Sequence, residues 1–151
     1  MSAVSQQRKM LVELVLDIPE EKIPQITEYI MREIIGYDED EPPLTEDEIE
    51  GLRLAKEDIA AGRVTHLGDT LIALTDTADK CIANIPQHEQ RHILVSIARL
   101  HERFAEGLRL MKGRDDFRLR VGGWRIILSV NFSDCCILVK YVDTRGDVYK
   151  H

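Results

Sequence analysis

Apolar residues recur every three or four positions through most of the 151-residue chain and every second position near its end, and the two periods divide it into helices and strands. A first helix is predicted over about Gln6 to Asp17, with Leu11, Leu14, Val15 and Ile18 on one side. Pro19 opens a second, whose stripe of Ile23, Ile26, Ile30 and Ile34 runs to Gly36, so residues 6–36 are expected to form a helical hairpin. Tyr37 to Pro43, YDEDEPP, is an acidic linker in which paired prolines forbid helix. The next helix, over 45–61, begins at TEDE, where Thr45 can cap and Glu48 can reciprocate, carries Ile49, Leu52, Ala55 and Ile59, and stops at Gly62.

After residue 68 the pattern changes. LIALTD (Leu71 to Asp76) predicts a short strand, Ala78 to Ile85 a small helix ended by Pro86, and Glu89 to Met111 a longer helix with Ile93, Ile97, Leu100, Phe104, Leu108 and Met111 facing a core. Phe117, Leu119 and Val121 then alternate with Arg118 and Arg120. Gly122-Gly123 makes a two-residue hairpin turn, Trp124, Ile126, Leu128 and Val130 alternate on the way back, and a strand over Ile137 to Val142 completes a meander. Two helices on one side of an antiparallel sheet define an α+β domain at 69–151, preceded by an all-helical arm at 1–68.

Charge follows the same division. Residues 1–68 hold 7 Lys/Arg against 16 Asp/Glu, a net of -9, whereas 69–151 hold 13 against 11, a net of +2. Opposite signs on the two halves predict an acidic arm lying over a basic surface. The arm has nothing like a basic DNA-reading helix, which argues against operator binding by it. Met10 to Leu16 is far too short to span a bilayer and lacks a cleavage site, so no membrane association or secretion is expected. Three cysteines, two adjacent, form no disulfide framework and fit a reducing, cytoplasmic setting.

The hairpin turn sets Val121 against Trp124, Arg120 against Arg125 and Leu119 against Ile126. The apolar set then faces the helices, and Arg118, Arg120 and Arg125 gather on the other surface. Like charges opposed across strands repel, by up to about 1 kcal/mol, a cost that a neighbouring anion relieves; a solvated polar face is the plainer reading of the same pattern. The ending VDTRGDVYKH adds Arg145, Tyr149, Lys150 and His151, close enough after the last strand for a short return to bring them alongside. Arginine forks hold a phosphate and spread its developing charge.

FRLRVGGWRIILSV, VDTRGDVYKH and the preceding LIALTDTADKCIANIP with its helix resemble the RelE/ParE superfamily of bacterial toxins over about Asp69 to His151, and LTEDEIEGLRLAKEDIAAGRVTHLGD is similar to RelB-type antitoxin segments. The resemblance implies a fused pair: a RelE-like domain of two helices on a twisted antiparallel sheet, held in check within the chain by its antitoxin-like arm. For the RelE branch it further implies metal-independent, ribosome-dependent cleavage of mRNA by attack of the 2′-hydroxyl, with no cofactor. The positions implied are Arg118, Arg120, Arg125, Arg145 and Tyr149. The first two are typically lysines in RelE, and arginine keeps the charge while losing proton exchange; His151, with an imidazole suited to neutral pH, could supply it. Two other outcomes remain open, an inactive RelE-fold interaction module and a ParE-like inhibitor of DNA gyrase. Oligomerisation through the Leu/Ile stripe of the hairpin is open as well.

His88-Glu89-Gln90-Arg91-His92 carries the H-E-x-x-H spacing of zinc peptidases. The extended form of that motif wants a histidine where Ala98 stands, and the segment falls between two core helices, so a solvated helix start is the expectation and no metal site is predicted.

Overall fold

The capping box read from TEDE forms. In a computed structural model, which describes residues 2–39, 41–103 and 107–144, Thr45 Oγ1 accepts from the Glu48 N–H at 3.1 Å and Glu48 Oε1 from the Thr45 N–H at 2.9 Å. The helix they open, α3, spans Glu46–Ala61 and ends on Gly62 at φ +74°. Before it come α1 (Ala3–Leu16) and α2 (Ile23–Ile35). After it follow β1 (Val64–His66), β2 (Ile72–Thr75), α4 (Asp76–Ala83), α5 (Gln87–Ala98), β3 (Leu108–Leu110), β4 (Phe117–Val121), β5 (Trp124–Asn131) and β6 (Cys136–Thr144).

The class is α+β. Six strands form one sheet in the order β1-β2-β6-β5-β4-β3. Its meander keeps the expected register, with Val121 opposite Trp124, Arg120 opposite Arg125 and Leu119 opposite Ile126. The sheet is nevertheless mixed, because β2 runs parallel to β6. Strand β1 pairs antiparallel with β2, so the sheet takes an edge strand from before residue 69, and the division expected at 68 falls inside a hairpin.

The long helix expected to reach Met111 stops early. Helix α5 gives way to a 3-10 turn over Arg99–His101, and Gly107, at φ +78°, precedes an edge strand in which Leu108 and Leu110 are buried. Leu108 and Met111 keep a helix's spacing while Leu108 and Leu110 keep a strand's, and pairing with β4 settles the matter. Phe104 lies outside the described residues.

One face of the sheet is covered by α4 and α5. Ile82, Ile85, Ile93, Ile97 and Leu100 meet Phe117, Leu119, Ile126 and Leu128 there, in the larger of two apolar clusters. Helix α2 adds Met31 and Ile35 to it rather than the stripe expected, leaving Ile23 and Ile34 exposed; Arg32, on the same helix, stacks 5.5 Å from the Phe117 ring centre. The opposite face carries the smaller cluster, where Leu52 of α3 meets Met111 and Ile127, with Leu44 and Tyr141 beside them.

Helix α3 lies on that second face by an unusual set of contacts. Gly51 sits against the Tyr141 ring so closely that a Cβ there would fall 2.2 Å from two ring carbons, and burial raises the Tyr141 phenol above its ordinary pKa. Asp58, near its C-terminal end, accepts from the Thr77 N–H at 2.8 Å and the Thr77 hydroxyl at 2.6 Å, and pairs with Arg63 at 3.0 Å. It thereby satisfies an orphan donor in the first turn of α4. Of the expected stripe Leu52 and Ala55 are buried, while Ile49 and Ile59 are exposed.

Burial alone would raise the Asp58 pKa, but the two Thr77 hydrogen bonds and Arg63 outweigh it and hold the group below its ordinary value. A depressed carboxylate stabilises the fold above its unfolded pKa and ceases to as pH falls through the folded one. Asp58→Asn is therefore expected to lower stability by about 2 kcal/mol at neutral pH. The gap in melting temperature between parent and variant should close below about pH 4; a pH-independent gap would show that shape rather than charge holds α3 in place.

Helix α1 buries none of its residues. The packed hairpin expected over 6–36 is thus replaced by one docked helix, α2, and one helix whose apolar residues Met10, Leu11, Val12, Leu14, Val15 and Leu16 are all exposed. Among the described residues no helix is long and apolar enough to cross a membrane.

Candidate functional site: an arginine cluster under an acidic linker

Alternation along β4 and β5 sends Arg118, Arg120 and Arg125 to the face opposite α4 and α5. They come together as expected, but not in solvent. The side chains of Arg118 and Arg125 are only 3% and 4% exposed, against 35% for Arg120, because residues of the linker and the first turn of α3 lie over them.

Glu41 is the centre of the arrangement. One of its carboxylate oxygens accepts from Arg118 Nε at 2.6 Å and the other lies 2.7 Å from Arg125 Nη2. Asp38 accepts from Arg118 Nη2 at 3.1 Å and approaches Arg120 Nη2 at 3.7 Å. Glu48 completes the set: one oxygen closes the capping box, and the other stands 3.2 Å from Arg125 Nε. The three carboxylates give the guanidinium groups charged oxygen acceptors, the kind of partner that a phosphate also offers.

Local structure explains why the linker lies here. Gly36 ends α2 with φ +65°, a conformation that favours glycine, and its carbonyl accepts from the Leu110 N–H at 2.9 Å, after which Tyr37 forms a parallel bridge to Leu110. The linker therefore leaves α2 along the open edge of β3, one strand from the arginines. Pro42 and Pro43 keep it extended up to Leu44 and the α3 cap. The exposed Lys112–Glu39 pair at 3.0 Å adds a surface contact of little energetic weight.

The electrostatics are those of a nearly dry ion network. Burial is the largest influence on Arg118 and pulls its pKa below the ordinary arginine value, with Arg120 acting in the same sense and Glu41 and Asp38 opposing. The alignment is incomplete: Arg120 Nε, Arg125 Nε and Glu41 Oε1 are buried without a well-directed hydrogen bond. Charges bring these groups together, but their geometry falls short of a fully satisfied network.

Arg145, Tyr149 and His151, the other residues singled out in sequence, lie outside the described residues, as does Lys150. The sequence pattern does not reveal the roles of Asp38, Glu41 and Glu48 as individual contacts. A clue is present in Ile127, an apolar residue at a position that alternation turns toward the arginine face, which makes sense only if that face is covered. His88 and His92 stand one turn apart on exposed positions of α5, and among the described residues no group of three or more His, Cys, Asp or Glu could hold a metal ion. Cys81, Cys135 and Cys136 are free thiols.

No protein-family model and no curated protein matches the chain. Among solved structures it is similar to the toxin-antitoxin complex RelBE2 from Mycobacterium tuberculosis, with 19% identity and a TM-score of 0.43 over 49% of this chain and 95% of that one. It is also similar to the RelB-RelE antitoxin-toxin complex from Methanococcus jannaschii, with 26% identity and a TM-score of 0.41 over 50% and 93%. A third is the archaeal RelE-RelB complex from Pyrococcus horikoshii OT3, with 24% identity and a TM-score of 0.41 over 48% and 91%. Each likeness spans about half of this chain.

Proposed function

We propose that the chain is a self-inhibited, RelE-type endoribonuclease: a toxin-like domain that cleaves mRNA on the ribosome, kept closed by an antitoxin-like segment of the same polypeptide. The observation that carries the reading is Glu41 seated between Arg118 and Arg125, with Asp38 and Glu48 on either side. Guanidinium groups that bind three carboxylates in the closed chain are suited to grip a scissile phosphodiester once those carboxylates withdraw. Because the blocking segment is covalently attached, its effective concentration is high and modest pairwise energies suffice to keep the site shut. The deciding experiment is ribosome-dependent mRNA cleavage by the full chain, compared with a variant whose linker carboxylates are neutralised.

The near-complete burial of Arg118 and Arg125 favours a second reading, in which the ion network is a structural staple in an inactive interaction module. Neutralising the linker would then yield a chain that binds its partner without cutting RNA.

Helix α1 implies a partner of its own, and a second copy of this chain fits it best. Its apolar residues are flanked by Glu13, Asp17, Glu20 and Glu21 against Arg8, Lys9 and Lys22, a near balance that gives an anionic lipid surface little to attract. Two copies of an element this apolar, with the neighbouring Ile23 and Tyr29 also exposed, offer surface toward the roughly 800 Å² per partner of a standard interface. Light scattering should report a dimer for the parent and a monomer for Leu11→Glu/Leu14→Glu. A monomeric parent, or binding to vesicles instead, would rule out this pairing.

A further inference from the structure

A second cationic feature lies beside the covered arginines. The end of α5, the 3-10 turn after it and the β4 strand border an open cavity of about 590 Å³, lined by His92, Arg99, Arg103 and Arg120, with Glu102 as the single carboxylate among the described residues that line it. No described residue of the linker lines it. The Arg99 side chain and the His92 ring are exposed, and neither has an ion-pair partner among the described residues. Arg120 belongs to both places: its Nη2 lies 3.7 Å from Asp38, while its Nε is buried without a hydrogen-bond partner. In a chain of net charge -7, three arginines around one cavity stand against the overall charge.

From this we infer that the groove is a docking site for the phosphodiester backbone of single-stranded RNA, and that it remains available while Asp38, Glu41 and Glu48 still cover the neighbouring arginines. The inference rests on the RNA reading above and adds an order of events. RNA first engages Arg99, Arg103 and His92; a phosphate reaching Arg120 then competes with Asp38 for the same guanidinium, so that the ligand itself helps to loosen the linker. A polymer of phosphates suits the site better than an isolated anion, since several separated cations can be satisfied at once and arginine forks match phosphate oxygens. Among the described residues the lining holds no aromatic ring besides the His92 imidazole, so binding should depend on backbone charge rather than on base identity.

Fluorescence anisotropy of a short labelled single-stranded RNA with the full parent chain tests this directly. The parent is expected to bind at low salt, with a log-log salt slope that Arg99→Glu/Arg103→Glu makes shallower by more than one unit, while affinity falls at least about tenfold. Arg91→Glu, at an exposed α5 position that does not line the groove, serves as the control for a charge reversal on the same helix and should cost much less; circular dichroism and melting temperature confirm that both variants fold. No binding by the parent at low salt would overturn the proposal, as would equal losses in the two variants or competition by polyglutamate as efficient as by RNA. Cleavage is read separately. A parent that fails to bind beside a neutralised-linker variant that cuts mRNA would refute the docking groove and leave the proposed activity intact.

Discussion

Asp38→Asn/Glu41→Gln in the full chain is expected to turn an inert protein into one that cuts mRNA on translating ribosomes and arrests growth when expressed. The side chains stay nearly isosteric, so the change is one of charge at two positions. Glu41 holds two guanidinium groups that are almost wholly buried, and removing one partner of a buried pair typically costs about 3–5 kcal/mol because a charge is left uncompensated. The closed arrangement bears that cost, whereas an open one returns Arg118 and Arg125 to water or to substrate. Even about 3 kcal/mol shifts the open population by roughly 10²-fold. Glu39→Gln is the control: it lies in the same linker, but its pair with Lys112 is exposed on both sides, and it should leave the chain closed. A doubly neutralised variant that is folded, binds ribosomes and leaves RNA intact would instead identify the inactive scaffold.

In that opened background, Arg125→Ala should reduce single-turnover cleavage by about 10²–10³-fold, the usual effect of losing one group that stabilises developing charge. Arg118→Ala should cost a similar factor, and lysine at either place should restore part of it by returning charge without the fork. The same substitutions act in the opposite direction on the closed chain, because Arg125 anchors both Glu41 and Glu48. Arg125→Ala in the parent is thus expected to loosen the linker, seen as faster proteolysis around residues 37–43, without producing cleavage. A purely structural arginine would loosen the linker and leave the opened enzyme's rate unchanged. That separation of the two readouts tells a substrate-binding role from a staple.

Much of the architecture is legible in the amino-acid sequence, and the legible parts share a cause. The capping box at Thr45 and Glu48, the Gly62 stop and the Gly122-Gly123 turn depend on residues within a few positions of one another, where backbone geometry and side-chain reach allow few alternatives. Once that turn is fixed, the period of two along β4 and β5 compels Arg118, Arg120 and Arg125 onto one face, and the -9/+2 charge division makes an acidic covering of that face a natural expectation. Pattern misleads where two local states are nearly equal. Leu108, Leu110 and Met111 suit a helix as well as a strand, and only pairing with β4 selects the strand. The parallel union of β2 and β6, and the contribution of β1 to the sheet, likewise depend on partners far along the chain.

Sequence by itself, then, determined the hairpin register, the clustering of cations on one surface and the presence of an anionic segment upstream, because each follows from short-range stereochemistry or from composition. Tertiary structure alone decided which carboxylates meet which arginines. Asp38 and Glu41 reach Arg118 across 80 and 77 residues, and Glu48 turns its second oxygen to Arg125 from a helix whose Gly51 lies against Tyr141. No periodicity encodes such pairings, since they depend on how the packed elements orient one another and on the high cost of leaving any of these charges buried alone.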